Sequence, residues 1–349
     1  QLLRMPFLDL ERIEVLKGPQ SIMFGKNSVA GALNLSSAKP TQDTEIHLGL
    51  QYQPTINATE FTGMVSGALT ETLSARLAVR DYSEDGYIEN TFKDRDETIR
   101  EETAVRLSLL WEPSDTMNFL FKIEHDEFDG TGRQIEVIKD EPSLAGSPIP
   151  GATFSQILGA LGHPDAISDS ELNYERQADA EESNNNSLDN ATLTANFKLG
   201  DYTLTSVSGF VSYDFVETCD CDYTAAPIFS VFIDEEYEQF SQEIRLVSPV
   251  GEKFDWLGGL FYQTSELSFD DNIKIPSNSV LGSLSGGALS PLTGQGAGRN
   301  YQLDTDMFSA FFQGRYHFTD ALTLTLGARF TSEEKTSSRV MNITDLETG

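Results

Sequence analysis

The sequence predicts an all-β fold, a transmembrane antiparallel β-barrel, on three observations. Long segments of roughly 10 to 16 residues alternate between apolar and polar side chains, which is the period of a β-strand. The connections between these segments alternate between short and long. The chain also contains no run of about 18 apolar residues that could form a membrane-spanning helix.

Eleven such strands are predicted after residue 42. In the fifth strand, Phe119, Phe121 and Ile123 alternate with polar side chains, so that one face is apolar. A strand of a soluble sandwich usually has about five or six residues, whereas a tilted strand needs about 9–11 to cross a bilayer. The predicted strands are 45–53, 59–69, 73–83, 98–111, 117–127, 188–199, 202–216, 235–248, 253–268, 303–318 and 321–335.

The lengths of the connections predict how the barrel is oriented. Tight turns follow the even-numbered strands, and long loops near 84–97, 128–187, 217–234 and 269–302 follow odd-numbered ones; only the first odd connection, near 54–58, is short. Short turns at one end and long loops at the other are typical of outer-membrane barrels, whose long loops face the exterior. The apolar faces would then meet lipid. Candidates for the interfacial aromatic girdles are Trp111, Trp256, Tyr262, Tyr316 and Phe318.

Composition excludes several classes of function. The formal net charge of −31 argues against nucleic-acid binding, because no basic surface is available, and suits a cell-surface protein. The four histidines lie in unrelated segments, so no metal site or catalytic triad is predicted. The chain has no Gly-x-Ser-x-Gly elbow, P-loop or dinucleotide fingerprint. We therefore expect no enzymatic activity and no resident cofactor.

The only two cysteines, Cys219 and Cys221, are separated by one aspartate. In an oxidising compartment they are candidates for a local disulfide in an exposed loop. The alternative is a metal site with Asp220 and Asp222. This alternative is disfavoured, because structural zinc needs four ligands and no spaced His or Cys partner lies nearby.

The stretch from 10 to 40 differs from the rest of the chain and contains two short predicted strands separated by Gly18-Pro19 and a small apolar patch. It resembles the C-terminal end of the plug domain of TonB-dependent outer-membrane receptors. The family usually has two adjacent glycines where this chain has Ala30-Gly31, and an isoleucine where it has Leu33. The matching residues are Glu11-Arg12-Ile13-Glu14-Val15-Leu16-Lys17-Gly18-Pro19, Phe24-Gly25, Gly31 and Asn34.

The resemblance implies a domain organisation. Residues 1–42 would be the C-terminal part of a small α+β plug domain, and residues 43–349 the N-terminal half of a barrel, with about 11 of the family's 22 strands. We expect the chain to be a fragment. The signal peptide and the TonB box would precede residue 1, and the second half of the barrel would follow.

The resemblance also implies active transport across the outer membrane of a Gram-negative bacterium, with a ferric siderophore as the favoured ligand. TonB with its ExbB–ExbD complex would be the partner, and outer-membrane lipid and lipopolysaccharide would surround the barrel. The acidic loops would bind divalent cations that bridge to lipopolysaccharide. Alternatives are a receptor for a glycan, cobalamin or another bulky small-molecule nutrient, and a non-transporting surface barrel or adhesin.

Two groups of site residues follow from the resemblance. Ligand contacts are expected at the external loops and at a plug apex. Hydrated ion pairs of about 0–1 kcal/mol each would hold the plug yet let it move. The apex residues are Phe24, Gly25, Lys26, Asn27 and Ser28, and the ion-pair residues are Arg12, Glu14 and Lys17 on the plug and Arg76, Arg80, Arg106, Arg315 and Arg329 on the barrel.

Overall fold

The computed structural model describes residues 7–26, 28–143, 149–167, 172–251 and 253–345. Its elements in chain order are β1 (Leu10–Lys17), α1 (Ser21–Phe24), β2 (Gly31–Ser37), β3 (Glu45–Gln53), β4 (Ala58–Ala68), β5 (Leu73–Glu84), β6 (Ile88–Asn90), β7 (Arg95–Glu97), β8 (Ile99–Ser114), β9 (Met117–Thr131), α2 (Phe154–Ala160), β10 (Glu175–Arg176), β11 (Ser183–Leu199), β12 (Tyr202–Cys219), β13 (Ser230–Val247), β14 (Phe254–Lys274), α3 (Leu281–Leu284), β15 (Gln295–Thr319) and β16 (Leu322–Asp345). A short 3-10 turn (Ser290–Leu292) precedes β15.

The long strands form one antiparallel sheet in which each strand pairs with its neighbours in the chain. The order is β16-β15-β14-β13-β12-β11-β9-β8-β5-β4-β3, eleven strands in all. This confirms the predicted fold class. Within the described residues β3 and β16 form the two edges, so the barrel is not closed.

Several strands are longer than predicted, and the largest extensions point toward the long loops. β15 begins at Gln295 instead of 303, and β14 continues to Lys274 instead of ending at 268. Beyond the lipid both faces of a strand meet water, so the apolar period fades while the backbone pairing continues. Periodicity therefore predicts the part of a strand that crosses the membrane and misses its outer extension.

In a soluble protein the apolar face of a sheet is buried and the polar face is exposed. In this sheet the apolar face is the exposed one and the polar face is the buried one. On β8, Leu107 is 38% exposed, whereas Arg106 and Ser108 on the other face are 6% and 1% exposed. A face of exposed apolar side chains suits contact with lipid, and the polar face lines the inside of the curved sheet. We call that polar face the inner face.

Aromatic pairs lie on the lipid-facing surface near the short turns. Ring centroids are 5.3 Å apart for Trp111–Phe119 and 4.7 Å apart for Tyr316–Phe318, and Trp256 stacks on a neighbouring ring. Tyr262 lies farther from the turn along β14, where its hydroxyl group donates to an aspartate. None of the helices in the described ranges is long and apolar enough to span a membrane.

The N-terminal hairpin of β1 and β2 forms a separate two-stranded sheet, with Val15 opposite Leu33. Its chain approaches the inner face of the large sheet at two places. Leu8, just before β1, packs on Ala78 and Ala104. At the other end, α1 lies against β15 and β16.

Three long connections pack on one another in a unit that we call the loop cap, made of the described parts of 132–182, 220–229 and 275–294. Its buried core consists of Leu158 of α2, Ala166, Ala226 and Ile228, and α3 packs against it. Backbone hydrogen bonds from Ala225 to Ala166 and from Val280 to Pro227 join the three connections. The loops thus have a small core of their own.

Candidate ligand-binding site

A cavity of about 770 Å³ on the inner face lies where the strands lead into the long loops. We call it the inner pocket. Its walls come from β4, β5, β8, β9, β11 and β12, from residues 132–135 of the loop cap, and from Phe7 of the N-terminal segment. Sites for small molecules commonly have volumes of about 300–1,000 Å³. The pocket therefore has the dimensions of a ligand site.

Arg80 of β5 binds two carboxylates across neighbouring strands. Its Nε donates to Glu60 of β4 at 2.7 Å, and its Nη1 donates to Glu102 of β8 at 2.6 Å. The alternation of β-strands places all three side chains on the inner face, since each strand contributes every second residue to it. The guanidinium is thereby held flat against the pocket wall by charge-assisted bonds.

A second arginine lies on an aromatic surface in the same wall. The Arg100 guanidinium carbon is 5.0 Å from the centroid of the Tyr82 ring and 5.7 Å from that of the Phe128 ring. Its Nε also donates to Glu102 at 2.8 Å. Glu102 therefore links Arg80 and Arg100. The aromatic rings under the Arg100 guanidinium make this part of the wall apolar as well as charged.

The third arginine comes from the loop cap. Arg133 Nη2 donates to Glu217 of β12, and its Nε lies 3.8 Å from Glu182 Oε1. Glu217 also accepts from the Asn184 side chain at 3.2 Å. Arg133 therefore ties the start of a long loop to two strand ends at the rim of the pocket.

An apolar cluster lies on the inner face nearby. Leu188, Tyr213 and Phe215 are buried there, and the Tyr213 and Tyr237 rings stack with centroids 5.2 Å apart. The Tyr237 hydroxyl donates to Gln239 at 2.7 Å. This buried packing fixes the positions of the neighbouring strand ends on the inner face.

The N-terminal segment is attached to the inner face by several polar contacts. Arg76 donates to Asp9 through Nε and Nη2, both at 2.7 Å, and Arg106 Nη1 donates to the Leu8 carbonyl oxygen at 2.7 Å. At the other end Lys26 pairs with Glu333 of β16. Arg329 adds a bond at 3.3 Å to the Ile22 carbonyl oxygen, and Lys122 donates to Ser37 at 3.1 Å.

The predicted plug counterparts of these arginines make other contacts. Arg12 and Glu14 pair with each other at 3.0 Å within the hairpin, where Asn34 also donates to Glu14. For the Lys17 side chain, the described residues include no partner on the sheet. Of the predicted sheet arginines, Arg76, Arg106 and Arg329 contact the N-terminal segment, whereas Arg80 and Arg315 pair within the sheet, the latter with Asp255 at 2.6 Å.

The predicted apex lies against β16 and away from the inner pocket. Phe24 is 44% exposed, and Gly25 has a φ of 76° and lies beside the Arg329 guanidinium. Ser28 is buried and donates to the Gly25 carbonyl oxygen at 2.7 Å. Asn27 lies outside the described residues. From the described N-terminal segment it is Phe7 that lines the pocket.

Cys219 and Cys221 form a disulfide at the end of β12, where the loop cap begins. The loop was expected to be exposed, but Cys219 is only 1% exposed and Asp220 is fully buried. Burial, and then Asp222, Asp179 and Glu182, raise the pKa of Asp220 to about 8. Acidic side chains crowd this turn because the cap packs over it. No set of three or more potential metal ligands is found among the described residues.

The family model described as "TonB dependent receptor-like, beta-barrel" matches residues 130–345, more than half of the chain. The chain belongs to the TonB-dependent receptor family. The family places the chain in the outer membrane of a Gram-negative bacterium, and its members are receptors and not enzymes.

Individual relatives of this TonB-dependent receptor chain include two curated proteins. It is 26% identical to the ferrioxamine receptor of Yersinia enterocolitica over 148 residues, 42% of this chain and 19% of that protein. It is 29% identical to the ferrichrome outer membrane transporter/phage receptor of Escherichia coli K12 over 113 residues, 32% of this chain and 14% of that protein. The matched regions are therefore a minor part of each relative.

The fold is similar to that of solved receptors. The ferric yersiniabactin uptake receptor FyuA from Yersinia pestis has a TM-score of 0.70 at 15% identity, covering 96% of this chain and 49% of FyuA. The ferripyoverdine receptor of the outer membrane of Pseudomonas aeruginosa has a TM-score of 0.65 at 14% identity, covering 96% and 43%. The chain thus spans about half the length of each.

Sequence reasoning missed several residues of the receptor's pocket. Glu60, Glu102, Arg133 and Glu217 were not singled out, and Asp9 was not predicted to pair with Arg76. A usable signal existed for Glu60 and Glu102, because both share the inner face with Arg80 at positions of opposite charge on neighbouring strands. Arg133 had no such signal, since a loop's path is not encoded by strand alternation, and Glu217 lies in the part of β12 beyond the predicted end at residue 216.

Proposed function

We propose that the protein is a TonB-dependent transport receptor that binds a ferric siderophore in the inner pocket and imports it across the outer membrane. The observation that carries this proposal is the pocket itself: about 770 Å³, on the inner face and at the long-loop end. The names of the relatives, a ferrioxamine receptor and a ferrichrome transporter, support iron chelates as the class of ligand.

Within this proposal the N-terminal segment is the end of a plug and the large sheet is half of its barrel, with the boundary near residue 42. A wide barrel needs a plug that seals the lumen at rest and moves when ligand is bound. Phe7 links ligand binding to movement of the plug, because it belongs to the N-terminal segment and also lines the inner pocket. A ligand that contacts Phe7 would thus act directly on the segment held by Arg76.

The attachments of the segment suit a part that must move. Arg76 and Asp9 are 8% and 16% exposed, whereas Lys26 and Glu333 are 38% and 27% exposed. Exposed pairs contribute about 0–1 kcal/mol each, so the contact at β16 is the weaker of the two. We propose that force from TonB, delivered with ExbB–ExbD, releases the α1 end first and the Arg76 end last.

Transport can be tested in a host that lacks its own siderophore receptors. Cells that express the protein would receive radioactive iron loaded on a panel of siderophores, in matched strains with and without TonB. We expect uptake of at least one ferric complex in the TonB-containing strain and none in the other. Uptake that persists without TonB, or a ligand that is imported equally well without iron, would contradict the proposal.

A further inference from the structure

We infer that the inner pocket selects ferric chelates of neutral or positive net charge, of the tris-hydroxamate class, over the triply negative ferric tris-catecholates. This inference rests on the proposed function and specifies the ligand class of the same site. The two classes of ferric complex differ in net charge. Three singly charged hydroxamates neutralise Fe³⁺, whereas three doubly charged catecholates leave a charge of −3.

The first observation is the balance of charge around the pocket. Its walls contain three arginines and four glutamates, a formal balance of −1. An anionic chelate would enter a site that is already negative, and like charges repel. The charged residues are Arg80, Arg100, Arg133, Glu60, Glu102, Glu182 and Glu217.

The second observation is that every arginine in the pocket already binds a carboxylate. Arg80 contacts two glutamates, Arg100 shares one of them, and Arg133 pairs with Glu217. An anion could use these guanidinium groups only by displacing their partners. Displacement would leave buried carboxylates without a counter-charge, since Glu102 is 11% exposed and Glu217 is 17% exposed.

The third observation is the charge of the loop cap above the pocket rim. Glu182 is 1% exposed at the rim, and Asp220 beyond it is fully buried with Asp222 and Asp179 as neighbours. The buried cation Arg176 beside Glu182 is itself bound to Glu97 and Glu182. An anionic chelate would therefore find no uncommitted cation in the described part of this approach.

A neutral chelate fits the remaining features. The Phe128 and Phe7 rings offer apolar contact, and the carboxylates of Glu60 and Glu217 can accept hydrogen bonds from amide or ammonium groups at the edge of a hydroxamate ligand. A positively charged group at the edge of the chelate would also be attracted by the formal charge of −1 of the pocket walls. The pocket thus offers hydrogen-bond acceptors and aromatic rings. These groups are complementary to a hydroxamate chelate and not to a polyanion.

The test is an equilibrium titration of the purified protein with two ferric complexes, one neutral tris-hydroxamate and one tris-catecholate, by quenching of intrinsic fluorescence at low and high salt. We expect the hydroxamate complex to bind at least about tenfold more tightly, with the difference shrinking as salt screens the charges. Equal or tighter binding of the catecholate would overturn the inference and leave the proposed function standing. Binding of neither complex would also overturn the inference, and the uptake panel would then decide the proposed function separately.

A variant makes the test specific to the pocket. The double substitution Glu60→Gln and Glu217→Gln changes the formal charge of the pocket walls from −1 to +1. It removes one carboxylate partner from Arg80 and one from Arg133 while keeping the size of both side chains. We expect the catecholate to gain affinity about tenfold and the hydroxamate to change much less. The matched control is Glu71→Gln, in the short turn after β4, which should leave both affinities unchanged. A gain in the control equal to that in the double variant would contradict the assignment.

Discussion

Arg76 and Asp9 form a two-pronged ion pair across the inner face, with both N–O distances at 2.7 Å. Arg76 lies on β5 of the large sheet, and Asp9 directly precedes the first strand of the N-terminal hairpin. Two parallel charge-assisted bonds fix orientation as well as distance. The pair is the most buried ion pair between the described hairpin segment and the sheet.

Removing this pair should loosen the segment. In Arg76→Ala, Asp9 loses both bonds, and we expect local stability of residues 8–17 to fall by about 2 kcal/mol, the usual range for hydrogen bonds to charged groups. Hydrogen exchange on the purified protein measures this. Arg12→Ala is the control, because its pair with Glu14 is exposed and lies within the hairpin, and it should leave the exchange unchanged. Equal protection in Arg76→Ala and wild type would show that the pair does not anchor the segment.

The hairpin itself depends on Gly31. Its φ is 150°, and a Cβ there would collide with the Leu16 carbonyl oxygen of the paired strand. We expect Gly31→Ala to destabilise the β1–β2 pair by about 1–3 kcal/mol, the typical cost of a strained backbone position. Faster amide exchange across both strands is the readout. Unchanged exchange would mean that the hairpin accommodates a side chain at this position.

More of the fold than of the site could be predicted from the sequence, for a physical reason. All eleven strands were found because contact with lipid forces an apolar period on residues such as Leu107 and Leu109. No such force acts on the loops. The helices of the loop cap are held by local packing around Leu158, and in the small sheet Arg176 of β10 pairs with Glu97 of β7. Neither kind of contact produces a regular apolar period in the sequence. Arg76 and Arg106 were predicted as anchors from their inner-face positions, whereas Asp9 lies in no recognisable pattern.

The loop cap should be weakened by opening its core. Leu158 is fully buried and packs with Ala226 and Ile228 from another loop. We expect Leu158→Ala to cost about 2–5 kcal/mol locally, as for other buried leucines. Limited proteolysis should then cut the loops near 220–229 and 275–294 faster. Leu289→Ala is the control, since Leu289 is 38% exposed. Equal cleavage rates in both variants would indicate that the loops do not share a core.

The loop cap should also loosen as pH rises. The pKa of Asp220 is raised to about 8 from its ordinary 3.8, chiefly by burial, so the folded cap favours the protonated form. Its neighbours Asp179, Glu182 and Asp222 are acidic, and Arg176 is committed to other carboxylates. The folded state then binds more protons than the unfolded state between these two values, and stability falls as pH rises through that window.

Amide exchange of residues 220–229, corrected for its intrinsic pH dependence, tests this expectation. Protection in the wild type should decline between about pH 5 and about pH 8. Asp220→Asn keeps the shape but cannot ionise, so its decline should be smaller and should end near pH 6, where the remaining buried carboxyl group Asp222 has its raised pKa. A wild type that shows no decline, or a variant that declines in parallel with it, would assign the pH dependence to another group.

If the inner pocket holds the iron complex, anomalous X-ray scattering at the iron absorption edge will locate the iron there. Crystals of the protein grown with a ferric tris-hydroxamate should give one strong anomalous peak inside the pocket, between Arg80 and Arg133. A peak at another place on the barrel, or no peak although the same complex binds in solution, would contradict the assignment of the site.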